Sequence, residues 1–376
     1  MNLRNLKDAK SRREFLEKEL NIKLENIKKA FIHNENQITV ENLIGETTLP
    51  LGVAGPIKIQ NSKFKSQNYY IPLATTEGAL IASVNRGCKA VNLSGGVTVF
   101  LEKIGTTRGS VYETKNLEKG FWFLNWLKKN EDLIKKNAEK TSSYLKYLKF
   151  EGKVIGPYTF VRFYFDPKEA MGMNMVTFAT DEINKIIKEK TNISCLALSG
   201  NFCVDKKPSW LNFFTGRGIS LWAESVIKKE VVEEVLKTTP QKIFEVWLAK
   251  NITGSIISGS LGFNAHFANI VASFFAATGQ DLAHVVEGSV GITTTKLERS
   301  GDLYFSIYLP SVMMGTVGGG TRLTIKKEAI NITKAKTKEE LAEVLAGAVL
   351  AGELSLLASL AEGSLAKAHK KLGRRK

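Results

Sequence analysis

Between Lys250 and Asp281 the chain runs through NITGSIISGSLGFNAHFANIVASFFAATGQ, thirty residues without a formally charged side chain. A stretch this long and this uncharged must be taken out of water, so it constrains the fold more than any other segment. A membrane span is one solution, but Asn251, Asn264, His266, Asn269, Gln280 and several glycines are poorly hosted in hydrocarbon. The segment therefore reads as a helix buried in the centre of a soluble protein.

The rest of the chain can supply that centre. Its 376 residues, 43% hydrophobic and 24% charged, are globular in composition and long enough for two to three domains. The formal charge of +16 attracts polyanions: nucleic acid, an anionic membrane surface or small phosphorylated ligands. The cysteines Cys88, Cys195 and Cys203 lack C-x-x-C spacing and the four histidines lack metal-ligand spacing. No structural metal is expected, and the thiols suit a reduced, cytoplasmic setting. The opening MNLRNLKDAKSRREFLEKEL is charged throughout and has no apolar core of a secretory signal.

Texture divides the chain. Residues 1–45 read as a helical N-terminal segment with one or two amphipathic helices. From ENLIGETTLPLGVAGP onward, short apolar runs punctuated by glycine and proline read as strands and turns. Residues 112–197 form a distinct block. A Lys-rich helix reaches to about Thr141, YTFVRFYFD alternates as a strand, AMGMNMVTFATDEINKIIKEK reads as a helix, and ISCLAL closes as a strand. Small-residue helices and Gly-rich turns return over 198–376, so the block is inserted into a larger α/β domain whose first part is 46–111.

Five stretches place reactive groups among apolar or glycine-rich neighbours. Glu77 in ATTEGAL stands either as a desolvated acid able to donate a proton or as a surface glutamate at a helix start. DKKP (205–208) offers Lys206 as a fixed cation for a developing oxyanion, or else a solvated charged turn. Asp281 ends the uncharged segment and needs a cation nearby, for which Lys206 is a candidate. GTVGGGT (315–321) lets backbone approach a ligand closely, without being the dinucleotide spacing G-x-G-x-x-G. His369 sits among lysines near the C-terminus, where most histidines are merely solvated.

Together these motifs resemble the catalytic portion of the class I 3-hydroxy-3-methylglutaryl-coenzyme A (HMG-CoA) reductases, in the soluble archaeal form. ENLIG, PLGVAGP, ATTEGAL, AMGMNM, DKKP, GQD, GTVGGGT and LAGELSL occur in the family's order. The resemblance implies an α+β fold: a helical N-terminal segment, a large domain around a central helix and an inserted ferredoxin-like small domain that binds NADP(H). It implies reduction of HMG-CoA by two NADPH to mevalonate and free CoA, without a metal, at sites on the interface of a homodimer or homotetramer. On this likeness Lys206 stabilises the oxyanion, Glu77 protonates the aldehyde oxygen, Asp281 tunes both, and His369 protonates the departing CoA thiolate. Ser199, Asp205, Lys207, Lys250 and Asn269 hold the hydroxymethylglutaryl group. Met171, Gly172, Met173, Asn174, Gly315, Thr316, Gly318 and Gly319 meet the nicotinamide cofactor.

The departures are local. Glu113 stands where the family commonly has an arginine, Ser143 where its T-S-R-F arginine meets the 2′-phosphate of NADPH, Glu169 where an aspartate precedes A-M-G-M-N, and Ser364 where animal enzymes have a second histidine. Ser143 leaves NADH as the alternative cofactor. The rival readings are an NADH-linked reductase running oxidatively on mevalonate, a reductase-like protein without turnover, and a basic nucleic-acid-binding protein. The last lacks both an RNP-type aromatic motif and zinc spacing.

Overall fold

The computed structural model describes residues 6–30, 38–61 and 66–363. The N-terminal segment holds two helices, α1 (Ala9–Leu20) and α2 (Glu25–Ala30). Asp8 caps α1 by accepting the Ser11 N–H at 2.8 Å, and Asn21 ends it in the left-handed conformation. Arg12 and Arg13 donate to the carbonyls of Leu43 and Ile44, which fastens the helix to the ENLIG stretch.

The strands are β1 (Leu51–Asn61), β2 (Ser66–Ala74), β3 (Val97–Glu113), β4 (Lys146–Ile155), β5 (Tyr158–Asp166), β6 (Cys195–Ala197), β7 (Gly218–Ile227), β8 (Ile292–Leu297) and β9 (Leu303–Val312). One run of the sheet has the order β2-β1-β3-β7-β9-β8. Within it only β1 and β3 pair in parallel, and the chain between them passes through β2 and the helix α3 (Leu80–Leu93), long enough for the crossover that a parallel pair requires.

β3 belongs to two sheets. Its first half pairs with β7, and from Thr106 onward it pairs with β5. The chain then runs through α4 (Leu117–Lys129), α5 (Glu131–Glu139), β4, β5, α6 (Met173–Thr191) and β6, with the spatial order β6-β3-β5-β4. This is the split-βαβ, ferredoxin-like pattern. Its own core gathers Tyr112, Phe123, Ile134, Val161, Phe163, Phe165, Val176 and Ile183. The single Lys-rich helix expected up to Thr141 is two helices. Asn130 turns its side-chain amide back onto the Trp126 carbonyl and breaks the run there.

The uncharged segment is not one central helix. It holds the end of a helical stretch Trp247–Gly254, the short Ser255–Ile257, an irregular passage and the helix Phe267–Thr278. Gly259, at φ +63°, follows the end of the first part, and the Asn264 side chain accepts the Phe267 N–H to start the second. The centre of the larger core is instead filled by Lys338–Glu362, a helix of 25 residues and so about 37 Å long. It is the one described helix long and apolar enough to cross a membrane, but 78% of its most apolar window is buried inside the protein. Small residues let α3 lie close against it. A Cβ on Gly87 would stand 1.9 Å from the Ala351 carbonyl oxygen.

Candidate active site

The segment 199–209 is held in an unusual shape. Asn201, Val204 and Lys206 all have positive φ, a cost that persists only where surrounding bonds enforce it. Those bonds are Gly200 N to Gly109 O at 2.7 Å, Thr107 Oγ1 to Cys203 O at 3.0 Å, and Asn212 Nδ2 to Val204 O at 3.0 Å. The two halves of the clamp are β3 and the short helix Trp210–Thr215. The result is a DKKP turn whose Lys206 projects in a fixed direction.

It projects onto Asp281. Lys206 Nζ lies 2.7 Å from Asp281 Oδ2, which makes Lys206 the cation that the end of the uncharged segment requires. Asp281 Oδ1 accepts the Ala283 N–H at 3.0 Å. Burial pushes the Asp281 carboxyl up, but the Lys206 hydrogen bond, the Ala283 N–H and the nearby His284 outweigh it and hold the group below its ordinary value. Just before it, Gln280 pairs with both backbone groups of Gly315, donating to the carbonyl at 3.0 Å and accepting the N–H at 2.9 Å. That pairing docks the GTVGGGT loop beside the Asp281 carboxylate.

A cleft of about 490 Å³ opens at this place. Met171, Gly172, Met173 and Asn174 form one wall, Gly315, Gly318 and Gly319 another, and Lys206 and Asp281 lie in the same lining. A Cβ on Gly315 would stand 2.5 Å from the Met171 amide nitrogen, so only glycine lets the two walls meet. Gly172 precedes the first residue of α6, which puts that helix's amino end on the cleft. A flat, phosphorylated cofactor fits such walls: small residues for close approach and a helix N-terminus for negative charge.

Thr316 does not line the cleft. Its hydroxyl donates to Glu169 Oε2 at 2.7 Å, and its N–H to the Glu169 carbonyl at 2.9 Å. The same carboxylate oxygen accepts the Lys338 N–H at 2.8 Å, at the first turn of the long core helix. Glu169 thus ties both cleft walls to a helix start, where a negative charge is favourable.

Glu77 is exposed, and the desolvated carboxylate of the first reading is not what the fold builds. The reason is local. Its N–H is held by Thr75 Oγ1 at 3.0 Å, Ala79 adopts a left-handed conformation, and α3 begins only at Leu80, so Glu77 sits on a turn above the core. Its partner is Asn269, whose amide donates to Glu77 Oε1 at 3.4 Å. Among the described residues no hydrogen bond or ion pair joins this pair to Lys206 and Asp281.

The remaining substrate candidates are scattered over the surface of one chain. Ser199 is exposed, with its hydroxyl 3.6 Å from the Cys203 sulfur. Lys207 is exposed and donates to the Asp205 carbonyl at 3.3 Å, and Lys250 is exposed on the stretch Trp247–Gly254. His369 lies outside the described residues.

Asp205 turns inward, to a group the sequence reading missed. Arg217 Nη2 lies 3.1 Å from Asp205 Oδ1, and Arg108 Nη1 3.8 Å from Oδ2. Arg217, His284 and Glu287 are fully or almost fully buried behind the Lys206–Asp281 pair. The one signal for them was HVVE following GQDLA, a histidine and an acid three apart just after Asp281.

Residues 8–374 match the family model described as Hydroxymethylglutaryl-coenzyme A reductase. The chain is 45% identical over 369 residues to a 3-hydroxy-3-methylglutaryl-coenzyme A reductase of Methanothermobacter thermautotrophicus, covering 96% of this chain and 92% of that one. It is 47% identical to the protein of the same name in Pyrococcus horikoshii, covering 96% and 91%. Among solved structures it resembles the class II 3-hydroxy-3-methylglutaryl-CoA reductase of Streptococcus pneumoniae bound to NADPH. The TM-score is 0.72 over 94% of this chain and 97% of that one, at 17% identity, which is a likeness of fold.

Proposed function

The chain belongs to the hydroxymethylglutaryl-coenzyme A reductase family, and from that membership we propose that it is a class I enzyme converting HMG-CoA, two NADPH and two protons to mevalonate, free CoA and two NADP+. The observation that carries the reading is the 2.7 Å Lys206–Asp281 pair in the cleft walled by Met171–Asn174 and Gly315–Gly319.

When bound, NADPH supplies the hydride for each carbonyl in turn. The glycines and the α6 amino end are the groups that would hold it, and Lys140 and Lys146 stand near Ser143 in sequence to meet a 2′-phosphate. Lys206 donates from Nζ to the oxygen that gains charge as the thioester carbonyl is reduced, a contribution of about 10²–10³ in rate for one such donor. Asp281 orients that ammonium. His369 protonates the departing thiolate, whose free pKa of about 8.5 lets an imidazolium neutralise it before it re-adds to the aldehyde. Glu77 delivers a proton to the aldehyde oxygen in the second reduction. Ser199, Asp205, Lys207, Lys250 and Asn269 hold the hydroxymethylglutaryl group, the lysines on its carboxylate.

Glu77 with Asn269 and Lys206 with Asp281 are separate pairs within one chain, which supports a site completed by a second copy in a homodimer or homotetramer. We assign residues 112–197 as the NADP(H)-binding module, 46–111 with 198–376 as the substrate-binding domain, and the cytoplasm as its location. The net charge serves CoA and NADPH rather than nucleic acid.

Loss of nicotinamide absorbance on adding HMG-CoA, with NADPH and separately with NADH, tests the reading. HMG-CoA-dependent oxidation favouring NADPH is the expected result. Preference for NADH with mevalonate oxidation as the faster direction would favour the oxidative enzyme, and silence with both cofactors would refute the assignment. Lys206→Ala should lose turnover while retaining cofactor binding and its circular dichroism spectrum.

A further inference from the structure

The roles above leave Arg217, His284 and Glu287, buried behind Asp281, without one. Asp205, His284 and Glu287 each present a ligand-type atom within 4.8 Å of the others, a spacing that suits a metal ion. Arg217 argues against that use, because its guanidinium already lies 2.5 Å from Glu287 Oε1 and 3.1 Å from Asp205 Oδ1. The place for a cation is taken by the protein's own side chain.

His284 is the member that reaches the catalytic pair. Its Nδ1 lies 2.9 Å from Glu287 Oε1. Its Nε2 is buried, has no hydrogen-bond partner among the described residues, and stands 3.7 Å from Asp281 Oδ2 and 3.9 Å from Asp205 Oδ1. Both ring nitrogens therefore face carboxylates, and an imidazole so placed is satisfied when both carry a proton. With that proton, Lys206, Arg217 and His284 balance Asp205, Asp281 and Glu287. Arg108, beyond Asp205, is the remaining charge facing the cluster.

Lys206 Nζ and His284 Nε2 converge on the same atom, Asp281 Oδ2. During reduction the Lys206 ammonium, still oriented by Asp281, shares its charge with the substrate oxyanion, and its bond to Asp281 Oδ2 weakens. We propose that His284 is the positioning residue that takes over Asp281 Oδ2 at that moment, so that the carboxylate neither stands unpaired nor draws the lysine back. Glu287, held by Arg217, fixes the ring in the required direction. The proposal rests on the catalytic reading of Lys206 given above.

The test measures kcat and KM for the parent enzyme, His284→Ala and His284→Gln, with NADP+ affinity as the check on an intact cleft. A hydrogen bond to a charged group is worth about 1.5–3 kcal/mol, so His284→Ala should lower kcat about 10–100-fold, with both KM values within about threefold. His284→Gln, a neutral donor of similar reach, should recover most of the loss. Equal loss in both variants, or a loss carried by KM, would overturn the proposal. Should these variants not fold, Glu287→Gln keeps the imidazole and loosens its hold on the ring, so kcat should fall with both KM values unchanged, and an unchanged kcat counts against the idea. Histidine nitrogen spectra of the parent need no turnover, so they separate this inference from the reductase assignment. A ring with both nitrogens protonated under the assay conditions, assigned to His284 by its absence from His284→Gln, is expected; a neutral His284 ring would overturn it.

Discussion

Glu353 is fully buried on the long core helix and gathers four donors. Ala265 N at 2.5 Å, Thr293 Oγ1 at 2.7 Å and Asn251 Nδ2 at 3.1 Å meet Oε1, and His266 N at 3.1 Å meets Oε2. One carboxylate thus ties together the helical stretch Trp247–Gly254, the start of the helix Phe267–Thr278 and a strand of the sheet. Glu353→Gln keeps an acceptor for the first three donors but turns an amide N–H₂ against the His266 N–H, which costs about 1–3 kcal/mol. Glu353→Ala leaves all four unpaired. Even if relaxation and entering water rescue two of them, the loss is on the order of 4 kcal/mol. Urea unfolding followed by tryptophan fluorescence measures both, and Trp247 reports locally because its indole N–H donates to the Thr293 carbonyl at 2.6 Å. The HMG-CoA KM should also rise in Glu353→Gln, with the NADPH KM unchanged, since the helix it orients carries Asn269. An alanine variant within about 1 kcal/mol of the parent, or a glutamine variant as costly as alanine, would refute the reasoning.

The other predictions follow from single contacts. Gly87→Ala forces a methyl against the Ala351 backbone and should destabilise by at least the upper end of the about 1–3 kcal/mol typical of overpacking, read as a fall in urea midpoint at unchanged m. Because the folded Asp281 carboxyl titrates below its ordinary 3.8, its ion pair contributes stability above that value and loses it as pH falls through the depressed one. The stability difference between the parent and Asp281→Asn should therefore be present at neutral pH and close in acid below pH 3.8; a gap constant down to the acid transition would contradict it. Ser143→Arg should raise the ratio of kcat/KM with NADPH to that with NADH by about tenfold or more, the worth of one charge-assisted hydrogen bond to phosphate, and an unchanged ratio would remove residue 143 from cofactor choice. His369→Ala should slow HMG-CoA reduction far more than reduction of free mevaldehyde, and equal losses would deny it the thiolate proton.

Local chemistry in the sequence determined a good deal. The alternation of YTFVRFYFD specified β5, proline and charge in DKKP specified a turn, and the glycines of GTVGGGT specified a close backbone approach. The need of Asp281 for a cation even pointed to Lys206, because an ion at the end of an uncharged run has few ways to be stable. What failed were judgements of environment. For Glu77 the sequence left a desolvated acid and a surface helix-start glutamate both open, and the left-handed Ala79, by setting where α3 starts, decides for the surface. The uncharged segment and Lys338–Glu362 are both apolar enough to be the central helix. Choosing between them takes the packing of small residues against α3 and the interruption near Gly259, and composition records neither. The Arg217–His284–Glu287 cluster joins the residue before β7 to the turn after Asp281, so the local spacing of HVVE could hint at the histidine–acid pair but not at the arginine that meets it. Which charges share a buried space is a property of distance in the fold, and only the tertiary structure sets that distance.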